Sequence, residues 1–246
     1  MLKSRLEALL PPRLDLLLRY VLQVHAGLGE REHRWVSRLA CDIALDIGAN
    51  RGVYARQLAG LSRKVHVFEP DPVLAPYLRA TLSGNAELHT VALSDRGGEA
   101  SLEVPVAADG RRVSTRATIA PGALAEGTEV VRETVRSVPL DEVTAGLDGA
   151  IDFIKIDVEG HEKAMLDGAR ETLRRHKPLL MVETEFRHGA DVAGIFADLA
   201  ALGYKAQVWR SGRLEPVTLD EFADLQSARP PEDRAYVNNV IFTPGA

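Results

Sequence analysis

The 246-residue sequence predicts an α/β domain built on a mostly parallel sheet with helices on both faces. Three observations predict it. Apolar strand-like segments alternate with helical ones from Ile43 onward. Ile43–Tyr54, IALDIGANRGVY, reads as a strand, a glycine turn and a helix start. The tail closes on two short strands, Lys205–Trp209 and Tyr236–Thr243, which read as an antiparallel pair. Residues 1–40 form a helical extension, and residues 41–246 form the domain.

In the extension, Leu14–Leu28, LDLLLRYVLQVHAGL, is strongly apolar and helical in pattern. It suits a helix packed over the sheet edge or against a second copy of the chain in a homo-oligomer. A helix lying on a membrane surface, as a peripheral contact, is the rival reading. No apolar run reaches the length of about 20 residues that spans a bilayer. Pro11, Pro12, Arg13 and Asp15 interrupt the early leucines, which does not fit a signal peptide.

Strands are read at Ile43–Ile47, Lys64–Phe68, Glu87–Ala92, Ala100–Val106, Ile151–Ile156 and Leu179–Glu183. Helices fill Val53–Leu61 and Pro72–Leu82. Another covers Glu162–His176, where Ala164, Met165, Ala169 and Leu173 recur at helical spacing before Pro178. Asp191–Leu202 is a further helix, closed by Gly203. Between Ala107 and Thr128 the Gly/Ala/Arg/Thr-rich chain lacks periodicity and reads as a surface loop or mobile cap. A charged, proline-containing loop separates the last two strands.

The composition is that of an ordinary soluble globule, 46% hydrophobic and 26% charged. A net charge of −5 gives no basis for nucleic acid as a bulk partner. The single cysteine, Cys41, excludes an internal disulfide and suits a reducing compartment such as the cytoplasm.

The glycine turn carries the first functional signal. Gly48 and Gly52 let the backbone turn tightly, and a helix starting near Val53 points N–H groups into the turn. About 20 residues on, VHVFEPD places Glu69 at the end of the second strand, where a carboxylate accepts from both ribose hydroxyls. A nucleotide-like cofactor follows. Asn50 stands where a dinucleotide fold has its middle glycine, and crowds a pyrophosphate. Asp46 would repel a pyrophosphate and attract an ammonium. Both favour S-adenosylmethionine over NAD.

LDIGANRGVY, VFEPDP, VALSD, IDFIKIDVEGHE and LLMVETE occur in the order found in the FkbM family of S-adenosylmethionine-dependent methyltransferases, which the chain resembles from Ile43 onward. The resemblance implies a Rossmann-like class I methyltransferase fold with a seven-stranded sheet, and methylation of hydroxyls on polyketides, sugars or glycans. It implies that Asp46, Gly48, Asn50 and Gly52 surround the methionine end of the cofactor. Glu69 would hold the ribose, Pro70 and Asp71 shape the adjacent wall, and Ser94 and Asp95 flank adenine. Asp157 would face the methionine moiety and the transferred methyl.

Methyl transfer to an alcohol needs a base, because the hydroxyl pKa is near that of water, roughly 16. His161 is the first candidate, as the histidine of the KIDVEGHE turn with a natural pKa near neutrality. Glu159 or Glu183 serves instead if burial raises its basicity. Glu162 reads as a helix N-terminal acid. A divalent ion on Asp157, Glu159 and Glu183 is an alternative, as are an NAD-dependent oxidoreductase and a non-catalytic nucleoside-binding module. His66 reads as a packing residue in its strand, and His25, His33, His89, His176 and His188 show no metal-ligand spacing. Arg111, Arg112 and Arg116 suit either an anion on the acceptor or solvent.

Overall fold

A computed structural model gives the fold of residues 10–188, 190–231, 233 and 235–245. The extension runs through α1 (Pro12–Tyr20), a π turn (Val21–His25) and α2 (His33–Val36). There follow β1 (Cys41–Ile47), α3 (Val53–Ala59), β2 (Ser62–Phe68), α4 (Ala75–Thr81), β3 (Ala86–His89), β4 (Ala92–Leu93), β5 (Gly98–Pro105) and β6 (Val130–Val138). The chain continues through α5 (Leu140–Thr144), β7 (Ile151–Ile156), α6 (Glu162–Asp167), α7 (Arg170–His176), β8 (Leu179–Glu183) and α8 (Val192–Ala201). It ends with β9 (Tyr204–Arg210), β10 (Arg213–Pro216), α9 (Leu219–Ser227) and β11 (Asn239–Pro244).

The main sheet has the order β10-β9-β11-β8-β7-β1-β2-β3. β3, β2, β1, β7 and β8 are parallel neighbours, and β11 inserts antiparallel between β8 and β9. The expected mostly parallel α/β sheet with its antiparallel closing strand is therefore present. It has eight strands instead of seven, because β10 folds back on β9. Ser211 and Gly212, both with positive φ, make that two-residue turn. The rest of the expected tail loop contains α9, opened by a Thr218/Glu221 capping box.

Three other expectations change. Glu87–Ala92 divides into β3 and β4, and Ala100–Val106 leaves the main sheet. Its strand, β5, pairs with β6 and, through β6, joins β4 in a separate three-stranded sheet. Glu162–His176 is two helices, broken where Gly168 passes Ser94; a Cβ there would lie 1.9 Å from the Ser94 carbonyl oxygen.

One face of the main sheet buries Leu45 and Ile47 of β1 and Ile154 and Ile156 of β7 against α5 to α9. The opposite face buries Ala44, Val65, Val67 and Phe153 under α2 and α3, with Trp35 edge-on to Phe153. This two-sided burial holds the carboxyl ends of β1, β2, β7 and β8 in fixed register. Helix α1 packs on α3 and α4, not on the sheet edge. Its buried Asp15 accepts from Arg19 and from the Tyr77 hydroxyl at 2.8 Å, and Arg51 lies 3.6 Å away. The outer face exposes Leu14, Leu17, Leu18, Val21 and Leu22.

Candidate active site

The turn after β1 is shaped by close backbone approach. Gly48 has φ +73, and a Cβ on it would lie 1.7 Å from the Asp157 carbonyl oxygen. The turns after β1 and β7 therefore touch, which only glycine permits here. Gly48 and Ala49 donate their N–H groups to the Phe68 carbonyl, and Asn50, itself at φ 49, donates to Glu69 at 2.7 Å. The N–H groups of residues 48–50 are thus spent inside the fold. A pyrophosphate loses its cradle, which disfavours the dinucleotide reading.

Glu69 follows β2 and is buried. One carboxylate oxygen accepts from Asn50, and the other accepts from the Asp71 N–H at 2.9 Å. Burial raises its pKa to about 7 against these two donors. Each oxygen keeps a further lone pair for a sugar hydroxyl.

Asp46 is fully buried beneath the turn. Neither oxygen has a donor in hydrogen-bonding geometry, although the Ala55 N–H faces it and Lys155 Nζ lies 3.8 Å away. Burial is the largest influence and pushes its pKa up to about 6, opposed by Lys155. Asp46 lines neither cavity of the site, and the ammonium that faces it is that of Lys155, which corrects its expected contact with the cofactor.

Lys155 is a residue that sequence reasoning missed. It lies opposite Asp46 in the β1–β7 register. Its ammonium donates to the Gly48 carbonyl at 3.0 Å and to Asp157 at 2.9 Å, above the Tyr54 ring. Burial opposes its charge, but Asp157 and Asp46 together hold the pKa above the ordinary value. The KIDVEG segment contained it, yet a lysine inside an apolar strand points to a buried acid only once the neighbouring strand is known.

Beyond Asp157 stand Glu159, in the left-handed region at φ 51, and Glu183 at the end of β8. Asn238 Nδ2 donates to Glu183 Oε1 at 2.6 Å. Glu30, from the extension, accepts from the Tyr54 hydroxyl at 2.7 Å and from Asn239 at 3.3 Å. Burial, then Asp157, raises the pKa of Glu159 to about 8, and the same causes with Glu30 raise that of Glu183 well above its ordinary value. Glu30, Asn238 and Asn239 carried no sequence motif; only the topology assembles them beside Tyr54.

Two cavities meet at these acids. One, of about 600 Å³, is lined by Gly48, Asn50, Glu69, Pro70, Asp157 and His161, with Ser114, Thr115 and residues 117–119 across it but not Arg116. The other, of about 810 Å³, is lined by Tyr54, Lys155, Asp157, Glu159, Glu183 and Glu30. Asp157 and Glu159 line both.

The remaining expected residues act from behind the wall. Asp71 is buried and does not line the cavity. It accepts from Arg112 and from the Ser114 hydroxyl, each at 3.0 Å, and so anchors the 107–128 segment. Part of that segment, Ser114, Thr115 and residues 117–119, covers the cofactor cavity. Arg112 is consumed in holding it, which corrects its reading as an acceptor-binding arginine; Arg111 pairs with Asp109. Ala92 and Leu93 line the cavity where Ser94 and Asp95 were expected, while the Ser94 hydroxyl meets His161 Nε2 at 2.9 Å and Asp95 at 3.0 Å. His161 thus faces the Ser94 turn and lines the cofactor cavity, not the acid cleft. Burial lowers its pKa. Gly52 caps α3 at φ +75, and Glu162, at the start of α6, is buried and accepts from Gly160.

Among the described residues, three potential metal-ligand atoms converge only at His66, Glu87 and His89, on β2 and β3. Asp157, Glu159 and Glu183 do not converge in this way. His66 Nδ1 lies 2.9 Å from His89 Nε2, a cross-strand pair hidden from sequence spacing, and Glu87 is paired with Lys64 at 2.9 Å. The His188 side chain lies outside the described residues.

The site fits S-adenosylmethionine. Glu69 would take the ribose, the Gly48 turn the amino-acid end, and Asp157 the region of the sulfonium, with Asp46 behind the turn. The model of the Methyltransferase FkbM domain matches residues 46–206, well over half of the chain. The methyltransferase FkbM from Methylobacillus flagellatus KT is similar in structure, with TM-score 0.50 and 19% identity over 97% of this chain. This chain spans 57% of the length of that protein. SMU.1697c of Streptococcus mutans, solved with S-adenosylhomocysteine (SAH), gives TM-score 0.45 at 10% identity, over 86% of this chain and 94% of that one. No curated protein sequence matches the chain. The chain belongs to the FkbM methyltransferase family, and its cofactor is S-adenosylmethionine.

Proposed function

We propose that this protein is an O-methyltransferase acting on a hydroxyl of a sugar, glycan or natural-product intermediate. One observation carries the reading. Asp157 and Glu159 line both the cofactor cavity and the cleft beside it, which the half-buried Glu183 also lines. When bound, the cofactor supplies an electrophilic methyl on a sulfonium.

The chain's own residues do the rest. Asp157, tied to Lys155, fixes the junction of the two cavities, and the cap excludes water from the first. Asn238 occupies Glu183 Oε1, which leaves Oε2 to take the acceptor's proton as the carbon–oxygen bond forms and the carbon–sulfur bond breaks. A positive charge delivered beside Glu159 and Glu183 offsets the repulsion among these acids and restores a basic carboxylate. Their position in the cleft favours Glu183 and Glu159 over His161 as the base.

No helix among the described residues is long and apolar enough to cross a membrane. The free thiol of Cys41 supports a reducing, cytoplasmic setting. Calorimetry with SAH and with NAD, followed by transfer of labelled methyl to pooled acceptors, tests the proposal. SAH binding with label appearing on a hydroxyl supports it. Absence of SAH affinity, or label found only on nitrogen or carbon, refutes it.

A further inference from the structure

The acid cleft does not end at Glu30. Gln23 and Glu30 also line a third cavity, of about 1800 Å³, between the extension and the C-terminal strands. Asn238 lines this cavity and bonds Glu183 in the cleft, so the two spaces form one groove. The groove is electrostatically lopsided. Its inner end presents Glu30, Asp157, Glu159 and Glu183 around Lys155, while the two arginines that also line it, Arg19 and Arg51, are drawn to Asp15. Its outer end presents Arg34, in the short helix α2, and Arg38, in the turn that follows it.

Other charges at the outer end are already answered. Asp233 pairs with Arg229 at 2.7 Å, and Glu32 is buried with Arg31 3.8 Å away. His33 is buried against Gln57. Among the described residues, neither Arg34 nor Arg38 has a carboxylate within 4.0 Å. Arg38 lies 4.9 Å above the Trp209 ring. That contact uses the face of the guanidinium and leaves its edge donors for a ligand.

We infer that the groove takes an acceptor with two unlike ends, a hydroxyl-rich sugar at the acids and an anionic group, phosphate or carboxylate, at Arg34 and Arg38. The inference rests on the methyltransferase reading of the inner cleft and extends it to the substrate's chemical class. Carboxylates are good acceptors for sugar hydroxyls, and paired guanidinium edges match the oxygens of a phosphate or carboxylate.

The test titrates the full chain with glucose 1-phosphate, glucuronate and glucose, followed by calorimetry and by tryptophan emission, since Trp209 underlies Arg38. It is run with and without SAH. Saturable binding of the phosphate or the carboxylate, but not of glucose, is expected, and the better of the two identifies the anion. Arg34→Ala with Arg38→Ala should weaken it by about tenfold or more, the loss expected when charged hydrogen bonds are removed, while the paired lysine variants, which keep the charge but not the planar fork, fall between. Both arginines are exposed, so the variants keep the fold. Equal binding of glucose, no saturable binding of either anion, or unchanged affinity in the double alanine variant overturns the inference. SAH binding by the same samples reports separately on the parent reading: SAH bound without anion sinks only the groove, and anion bound without SAH sinks only the methyltransferase assignment.

Discussion

Replacing Gly48 with alanine tests the contact on which the site is built. Two costs arise. A non-glycine residue at φ +73 costs roughly 1–2 kcal/mol. The new Cβ would also sit 1.7 Å from the Asp157 carbonyl oxygen, which must recede by about 1.3 Å to reach the 3.0 Å below which such contacts essentially never occur. Backbone against backbone yields poorly, and overpacking of this kind adds about 1–3 kcal/mol. Gly52→Ala is the matched control. It shares a positive φ of 75, but its Cβ would meet the flexible end of Leu78 at 3.0 Å, so only the conformational cost applies.

Thermal unfolding should therefore place Gly48→Ala below Gly52→Ala by several degrees, at about 2–4 °C per kcal/mol. The larger effect is on binding, because the displaced backbone carries Asp157 at the junction of the two cavities. A misplacement of this size costs on the order of 10²-fold in a preorganised site. Calorimetry with SAH should show Gly48→Ala losing far more affinity than Gly52→Ala. Equal melting temperatures and equal affinities would refute the contact.

Three further outcomes follow from the same geometry. Glu183→Gln should lower the methyl-transfer rate by about 10²–10⁴-fold with SAH affinity nearly intact, whereas His161→Ala should disturb SAH binding more than the rate; single-turnover assays and calorimetry separate them. Arg112→Ala strands Asp71, which is fully buried, and should cost about 3 kcal/mol in urea unfolding and open residues 107–128 to limited proteolysis. Burial raises the Glu162 pKa from 4.5 to about 7, so the folded chain holds an extra proton between those values and stability falls as pH rises through about 7. Glu162→Gln should remove a slope worth about 3 kcal/mol across that window, with the two proteins closest at its acid end.

The parallel half of the fold was readable because its signals are local. DIGANRG supplies the glycines, and Glu69 follows an apolar strand at the spacing a βαβ unit requires. The tail was misread although its signals were present. Ser211–Gly212 is a hairpin turn, and Thr218 with Glu221 is a capping box, but the surrounding charges and prolines masked both. β6 alternates weakly, because its outward side is occupied by Arg132, Thr134 and Arg136. Within the site, the residues on the β1 and β2 turns were legible. Glu30, Lys155 and Asn238 were not, because each acquires meaning only from a partner on another strand or segment.

The methyl donor's pocket is built within the stretch that matches the family, whereas the opposite wall draws Gln23, Glu30 and Asn238 from sequence flanking it. The anion end proposed for the acceptor, at Arg34 and Arg38, is therefore free to diverge at a different speed from donor recognition. Exchanging the two flanks between relatives, with the middle left untouched, is the shortest engineering route to a new methylation target.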